Sequence, residues 1–107
     1  MPTSVSSSPL PRPDAAVLLV LLPLPTSAAL PEAARATACL RMLRRRLGSA
    51  VRVLQIDEAS HPVVVSTFGP PSLPACVLMR RGVELWRQQG LPDDGTVEAL
   101  LEAAQAG

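Results

Sequence analysis

Few side chains of this chain could do covalent chemistry. Two cysteines, Cys39 and Cys76, are the possible nucleophiles, and His61 is the single histidine. A thiolate can exchange disulfides or react with peroxide, but two cysteines this far apart suit neither a disulfide framework nor a zinc site. The sequence contains no paired-carboxylate motif, metal-ligand cluster or glycine-rich phosphate loop. We therefore predict no catalytic residue, no metal and no cofactor.

Composition and charge bound the class of protein. A length of 107 residues suits one domain. A hydrophobic content of 48% with 18% charged residues predicts a globular chain. The net charge of +1 gives no field that would recruit nucleic acid or a membrane surface. The basic run Arg41–Arg46 has no interleaved aromatic residues, so we interpret it as a solvated helix face.

An apolar run from Ala15 to Leu24 raises the question of a signal peptide. Its upstream flank is poor in positive charge because Asp14 cancels Arg12, and Pro23 interrupts the run near its end. The run is also too short to span a bilayer. We interpret it as a core strand and expect a cytoplasmic protein with no membrane partner.

The hydrophobic pattern predicts the order strand, helix, strand, a segment of ambiguous type, strand, strand, helix. Residues 1–13 are Ser/Pro-rich and are predicted to be a flexible segment ahead of a domain at 14–107. The continuous apolar run from Ala15 to Leu22 is typical of a strand buried on both faces. Thr26 or Ser27 can cap the first helix, and the second strand covers 51–56. The helix has an apolar stripe formed by Ala36, Leu40, Leu43 and Leu47.

The segment from His61 to Phe68 carries conflicting signals. Pro62 at a first helical position favours a helix, whereas the valine run that follows favours a strand. We predict a helix. Residues 74–79 and 83–89 are predicted to form a hairpin. Four apolar residues at helical spacing predict the buried face of a last helix, namely Val97, Leu100, Leu101 and Ala104.

The most specific pattern is Phe68-Gly-Pro-Pro-Ser-Leu-Pro-Ala75, which is followed by an apolar strand, Arg80-Arg-Gly82 and a second strand. This pattern resembles the second half of a thioredoxin, where an apolar residue precedes a cis-proline that enters a strand. The resemblance covers residues 15–104. It implies an α/β thioredoxin-like fold, with a mixed four-stranded central sheet in the order β-α-β-α-β-β-α, flanked by helices. In this fold residues 61–68 would form the short second helix.

The resemblance also identifies what the chain lacks. Thioredoxins carry a low-pKa thiolate at a helix N-terminus and a second thiol one turn later. This chain has no Cys-x-x-Cys, and the matching positions hold Thr26, Ser27, Ala28, Ala29 and Leu30. Hydroxyl groups are not appreciably ionised near neutral pH and cannot replace that thiolate. Disulfide exchange by the family mechanism is therefore not expected.

What the resemblance retains is a groove for an extended peptide. The Leu73 backbone and the Pro74 ring would line it, with the peptide pairing against Leu73. The predicted binding residues are Thr26, Ser27, Ala28, Ala29, Leu30, Ser72, Leu73 and Pro74. The sequence therefore predicts a redox-inactive thioredoxin-like protein that binds a protein or peptide partner as an accessory or chaperone-like module.

Two alternatives remain open at this point. A monothiol redox protein using Cys39 or Cys76 requires an exposed thiol with a depressed pKa. A structural module that assembles a homodimer requires an exposed apolar strip. Because a free cysteine usually packs as a small hydrophobe, we interpret both thiols as core residues.

Overall fold

The seven predicted elements are present, in the predicted order. The computed structural model describes residues 15–23 and 30–106. The elements are β1 (Ala16–Leu22), α1 (Leu30–Leu47), β2 (Val51–Asp57), α2 (Pro62–Phe68), β3 (Ala75–Arg80), β4 (Val83–Gln89) and α3 (Asp94–Ala106). The predicted lead-in at 1–13 and the predicted caps Thr26 and Ser27 lie outside the described residues.

The strands form one mixed sheet in the order β2-β1-β3-β4. β1 runs parallel to β2 and antiparallel to β3, and β3 runs antiparallel to β4. β1 is therefore an interior strand, and its continuous apolar sequence follows from this position because neighbouring strands and both sheet faces exclude water. The predicted mixed four-stranded sheet is confirmed.

The two faces of the sheet are covered unequally. α1 and α3 contribute to the larger core cluster on one face, while the smaller cluster on the other face is formed by Leu21, Val65 and Val77. Leu18 and Leu19 are neighbours in β1 but belong to opposite faces. Leu18 is completely buried, whereas Leu19 is only half-buried, because α2 contributes only seven residues to its face.

The two long helices bury the predicted stripes. All four stripe residues of α1 are buried in the larger cluster, as are Val97, Leu100 and Ala104 of α3. Asp93 caps α3, since its Oδ1 accepts hydrogen bonds from the Thr96 N–H at 3.0 Å and the Thr96 hydroxyl at 2.9 Å. These hydrogen bonds lower the pKa of Asp93.

The ambiguous valine segment is a helix, as the thioredoxin resemblance implied. α2 begins at Pro62, in the first-turn position where a missing N–H costs no hydrogen bond. It ends at Gly69, whose left-handed φ of 56° lets its N–H reach back to the Val65 and Ser66 carbonyl groups. His61 stands at the N-cap position but makes no side-chain capping hydrogen bond.

The hairpin turns at Arg81 and Gly82, whose φ values of 52° and 78° match a turn with two left-handed residues. The β3–β4 register shifts between Leu78 and Met79. Beyond this shift, Trp86 packs half-buried against the larger core cluster. Across residues 15–23 and 30–106, no helix has the length and apolar character needed to cross a bilayer.

Candidate functional site

The loop at residues 69–74 joins α2 to β3, and the end of β4 holds it in place. The Gln89 Nε2 donates to the Ser72 carbonyl oxygen at 2.8 Å and to the Ser72 hydroxyl at 2.7 Å. The Gly90 N–H donates to the Pro74 carbonyl oxygen at 2.9 Å. Because β4 is paired with β3, these bonds tie the loop to the sheet itself.

A hydrogen bond from β4 also fixes the end of α2. The Arg87 Nη1 donates to the Phe68 carbonyl oxygen at 2.8 Å. The same guanidinium is oriented by Glu84, which accepts from Nη2 at 2.8 Å and from Nε at 3.1 Å. The side-chain hydrogen bonds from Arg87 and its positive charge lower the pKa of Glu84. The loop that follows Phe68 is thus anchored near both of its ends.

The centre of the loop offers unused backbone groups. The peptide bond between Leu73 and Pro74 is cis, and proline has no N–H of its own. Within the described part of the chain, neither the N–H nor the C=O of Leu73 makes a hydrogen bond. Leu73 therefore presents a donor and an acceptor at the start of β3, where an added strand could use them.

A cavity of about 580 Å³ opens beside Leu73. It lies where β1 and β2 end and β3 begins, the end of the sheet at which open α/β folds place their ligands. Its described lining combines prolines and apolar residues with a glycine, two serines and one glutamate: Pro23, Glu58, Pro62, Val65, Ser66, Gly69, Pro70, Pro71, Ser72 and Leu73.

The structure places the predicted groove residues as follows. Ser72 and Leu73 both line the cavity, and Pro74 follows directly at the entry to β3. Leu30 is the first residue of α1. The remaining four predicted residues, Thr26, Ser27, Ala28 and Ala29, lie outside the described residues.

Sequence reasoning missed several residues of this site. Glu58, Pro62 and Ser66 line the cavity, but no local motif singles them out. Glu58 arrives there because its N–H donates to the Leu22 carbonyl oxygen at 2.9 Å, which continues the parallel pairing of β1 and β2. Periodicity predicts both strands but not this register, so no signal in the sequence could have placed Glu58.

Cys76 lies in the larger core cluster and is completely inaccessible to solvent. Its Sγ lies 3.8 Å from the carbonyl oxygens of Gln88 and Gly90. Burial, with a smaller contribution from the nearby Cys39, raises the pKa of the Cys76 thiol to about 12. At neutral pH the thiol is therefore un-ionised.

Cys39 is half-buried on α1 and donates from Sγ to the Pro92 carbonyl oxygen at 3.2 Å. Burial first, and the carboxylate of Asp93 second, raise the pKa of this thiol as well. Both environments are the opposite of those that activate a thiolate, namely a helix N-terminus or a neighbouring cation. Within the described residues, no group of three or more His, Cys, Asp or Glu could hold a metal ion.

The thiols also predict how stability depends on alkaline pH. The chain has no Lys or Tyr, so its cysteines are the side chains with ordinary pKa values between those of His and Arg. Between about pH 9 and pH 12, unfolded Cys76 releases its proton while folded Cys76 retains it. The free energy of unfolding should therefore be insensitive to this group below pH 9 and fall above it, by at most about 1.4 kcal/mol per pH unit.

Urea unfolding of the native chain and of Cys76→Ala, measured from pH 8 to pH 11, checks this expectation. The substitution also changes packing in the core by an amount that does not depend on pH, so the slope of the free energy of unfolding against pH is the quantity to compare. A shallower slope in Cys76→Ala is expected. The same slope in both proteins would show that Cys76 does not keep its proton in the folded state.

No protein-family model matches the chain, and no curated protein matches it. Solved structures do resemble it. One, described only as a malarial protein, is 17% identical with a TM-score of 0.67, over 83% of this chain and 96% of the other. Another is thioredoxin-2, described as a component of the malaria parasite protein secretion machinery, which is 16% identical with a TM-score of 0.69, over 83% of this chain and 82% of the other. At these identities the similarity establishes the fold alone.

Proposed function

We propose that this chain, whose fold is thioredoxin-like, binds an extended peptide or protein segment as a redox-inactive accessory or chaperone-like module. The observation that carries the proposal is the Leu73 backbone at the edge of the cavity, which has no hydrogen-bond partner among the described residues. A peptide laid along this edge would pair with the Leu73 N–H and C=O, and its side chains would enter the cavity. Main-chain pairing supplies affinity without demanding one particular sequence.

The walls of the cavity suit this role because they are rigid. Pro23, Pro62, Pro70 and Pro71 have fixed φ angles, and Gln89 and Gly90 hold the loop to the sheet. A site already ordered in the free protein loses little conformational entropy when a ligand binds. The apolar side chains of Val65 and Leu73 offer contact to apolar ligand residues.

The position of the thiols supports binding rather than redox chemistry. Cys76 and Cys39 belong to the cluster that packs beneath α1 and α3, whereas the cavity is lined by α2 and the loop that follows it. No thiol is among the described residues that line the cavity. A peptide bound in this groove would therefore contact no cysteine among the described lining residues.

Backbone amide shifts in ¹⁵N–¹H NMR spectra test the proposal directly. The probe is a set of octapeptides with four central apolar residues and varied flanks. The largest shift changes are expected at the Ser72, Leu73 and Ala75 amides. Amides of Arg44 and Arg45, exposed at the end of α1, should not move. Absence of any shift with the whole set, or shifts confined to the α1–α3 side, would contradict the proposal.

Ser66→Trp should abolish most of this binding. Ser66 is exposed and lines the cavity, so a Trp there can fill the space without disturbing the core. We expect at least about a tenfold weaker Kd for any octapeptide that binds, since a filled cavity forfeits the apolar contact of a buried side chain. Fluorescence anisotropy with labelled peptides measures the change.

Thr67→Trp is the matched control. Thr67 is the next residue of α2 and is also exposed, but it does not line the cavity. The same bulky side chain one position away should leave the Kd within about twofold of the native value, as for a surface substitution away from the site. Equal losses in both variants would place the binding surface elsewhere on α2.

A further inference from the structure

We infer that the groove prefers extended peptides that carry an arginine or lysine near the residue paired with Leu73. This inference rests on the proposed function and names the class of peptide. The key residue is Glu58, the one charged side chain among the described residues that line the cavity. A cavity with a single carboxylate favours a cationic ligand and disfavours an anionic one.

The strand register sets how far Glu58 lies from the pairing edge. Asp57 of β2 pairs with Leu22 of β1, and Leu21 of β1 pairs with Ala75 of β3. Glu58 and Leu73 therefore flank the end of β1 on opposite sides, roughly two strand spacings or about 10 Å apart. A peptide strand paired with Leu73 on the side of β1 would continue the line of β1, about 5 Å from Leu73 and about 5 Å from Glu58. A basic side chain at or next to the residue paired with Leu73 can therefore reach Glu58.

Among the described residues, the carboxylate of Glu58 also has no cation of its own. It makes no ion pair or side-chain hydrogen bond with any residue in 15–23 or 30–106. Its neighbour Asp57 differs, since it accepts from the Gln55 Nε2 at 3.0 and 3.2 Å. Glu58 is half-buried at the wall of the groove, where a guanidinium or ammonium group from the ligand would meet it.

Rejection of acidic peptides follows from the same arrangement. An acidic residue at the position that faces Glu58 would place two carboxylates together, and no other described residue of the lining is charged to offset the repulsion. Selectivity between basic and acidic peptides thus combines one attraction with one repulsion. Because the site is open to solvent, each effect is that of a partly exposed ion pair, worth about a two- to fivefold change in Kd.

The experiment uses labelled octapeptides with a central apolar core, in which one flanking position at a time is Arg, Gln or Glu. Anisotropy gives Kd for the native chain, Glu58→Gln, Glu58→Arg and the control Glu102→Gln. Glu102 is exposed on α3, across the sheet from α2. At the position that faces Glu58, we expect Arg to bind about tenfold tighter than Glu, with Gln between them. Raising the NaCl concentration should reduce the difference in Kd between the Arg and Glu peptides.

The variants separate this inference from the proposed function. Glu58→Gln should remove the preference, Glu58→Arg should reverse it, and Glu102→Gln should leave it intact. If peptides bind but Arg and Glu bind equally, or if the preference survives in Glu58→Gln, the inference is wrong and the proposed function stands. If no peptide of the set binds the native chain, both are wrong.

Discussion

At pH 8, the Cys76 thiol of the folded protein is expected to react with an aromatic disulfide reagent at least about a thousandfold more slowly than in the unfolded chain. The reacting species is the thiolate. A thiol with a pKa of 9.0 is about one-tenth ionised at this pH, whereas a pKa of about 12 leaves about one part in ten thousand ionised. Complete burial of Cys76 slows the reaction further.

Single-cysteine variants give the reaction rate of each thiol separately. Cys39→Ala leaves only Cys76, and Cys76→Ala leaves only Cys39, each measured with and without urea. Cys39 is half-buried with a raised pKa, so it should react more slowly than an unfolded thiol but faster than Cys76. Transient unfolding sets a lower limit to the rate at which Cys76 reacts. At a stability of about 5 kcal/mol, about one molecule in several thousand is unfolded and exposes this thiol at any time.

The rates also decide between the functions that the sequence leaves open. A monothiol redox protein needs a thiolate available at neutral pH. If either cysteine of the folded chain reacts as fast as it does in urea, or faster, the redox alternative becomes the better hypothesis and that cysteine the presumed site. Two protected thiols would leave the groove beside Leu73 as the place to look for function.

Leu18→Ala is expected to lower the free energy of unfolding by about 3–5 kcal/mol. Leu18 is completely buried in the larger core cluster, so its truncation removes apolar contacts and leaves a cavity that the close-packed surroundings cannot refill. A domain of this size has a total stability of about 5–15 kcal/mol. The expected loss is therefore a large fraction of the total stability.

Leu19→Ala is the matched control because it makes the same truncation at the adjacent residue of β1. Leu19 is half-buried on the sheet face that α2 covers, so solvent and mobile neighbours can occupy the space that it leaves. We expect a loss of about 1–2 kcal/mol, measured by urea unfolding at a constant m-value. Equal losses of unfolding free energy at the two positions would mean that both faces of the sheet exclude solvent equally well.

Much of the fold could be predicted from local pattern. The continuous apolar run of β1 and the apolar stripes of α1 and α3 each specify one element and its buried face. The short helix α2 could not be settled this way, because Pro62 and the three valines after it give opposite signals. Tertiary packing resolves the conflict by burying Val65 against Leu21 and Val77 and leaving Val63 exposed.

The candidate site divides in the same way between sequence and structure. By itself, the sequence determined the four strands and the two long helices, the absence of a Cys-x-x-Cys pair and the Leu73-Pro74 pair as a candidate binding position, because each depends on residues close together in the chain. Only the tertiary structure decided that Glu58 shares a cavity with Leu73 and that Gln89 anchors the loop. Those contacts depend on strand order and register, which arise from packing of the whole domain and are not encoded in any local stretch.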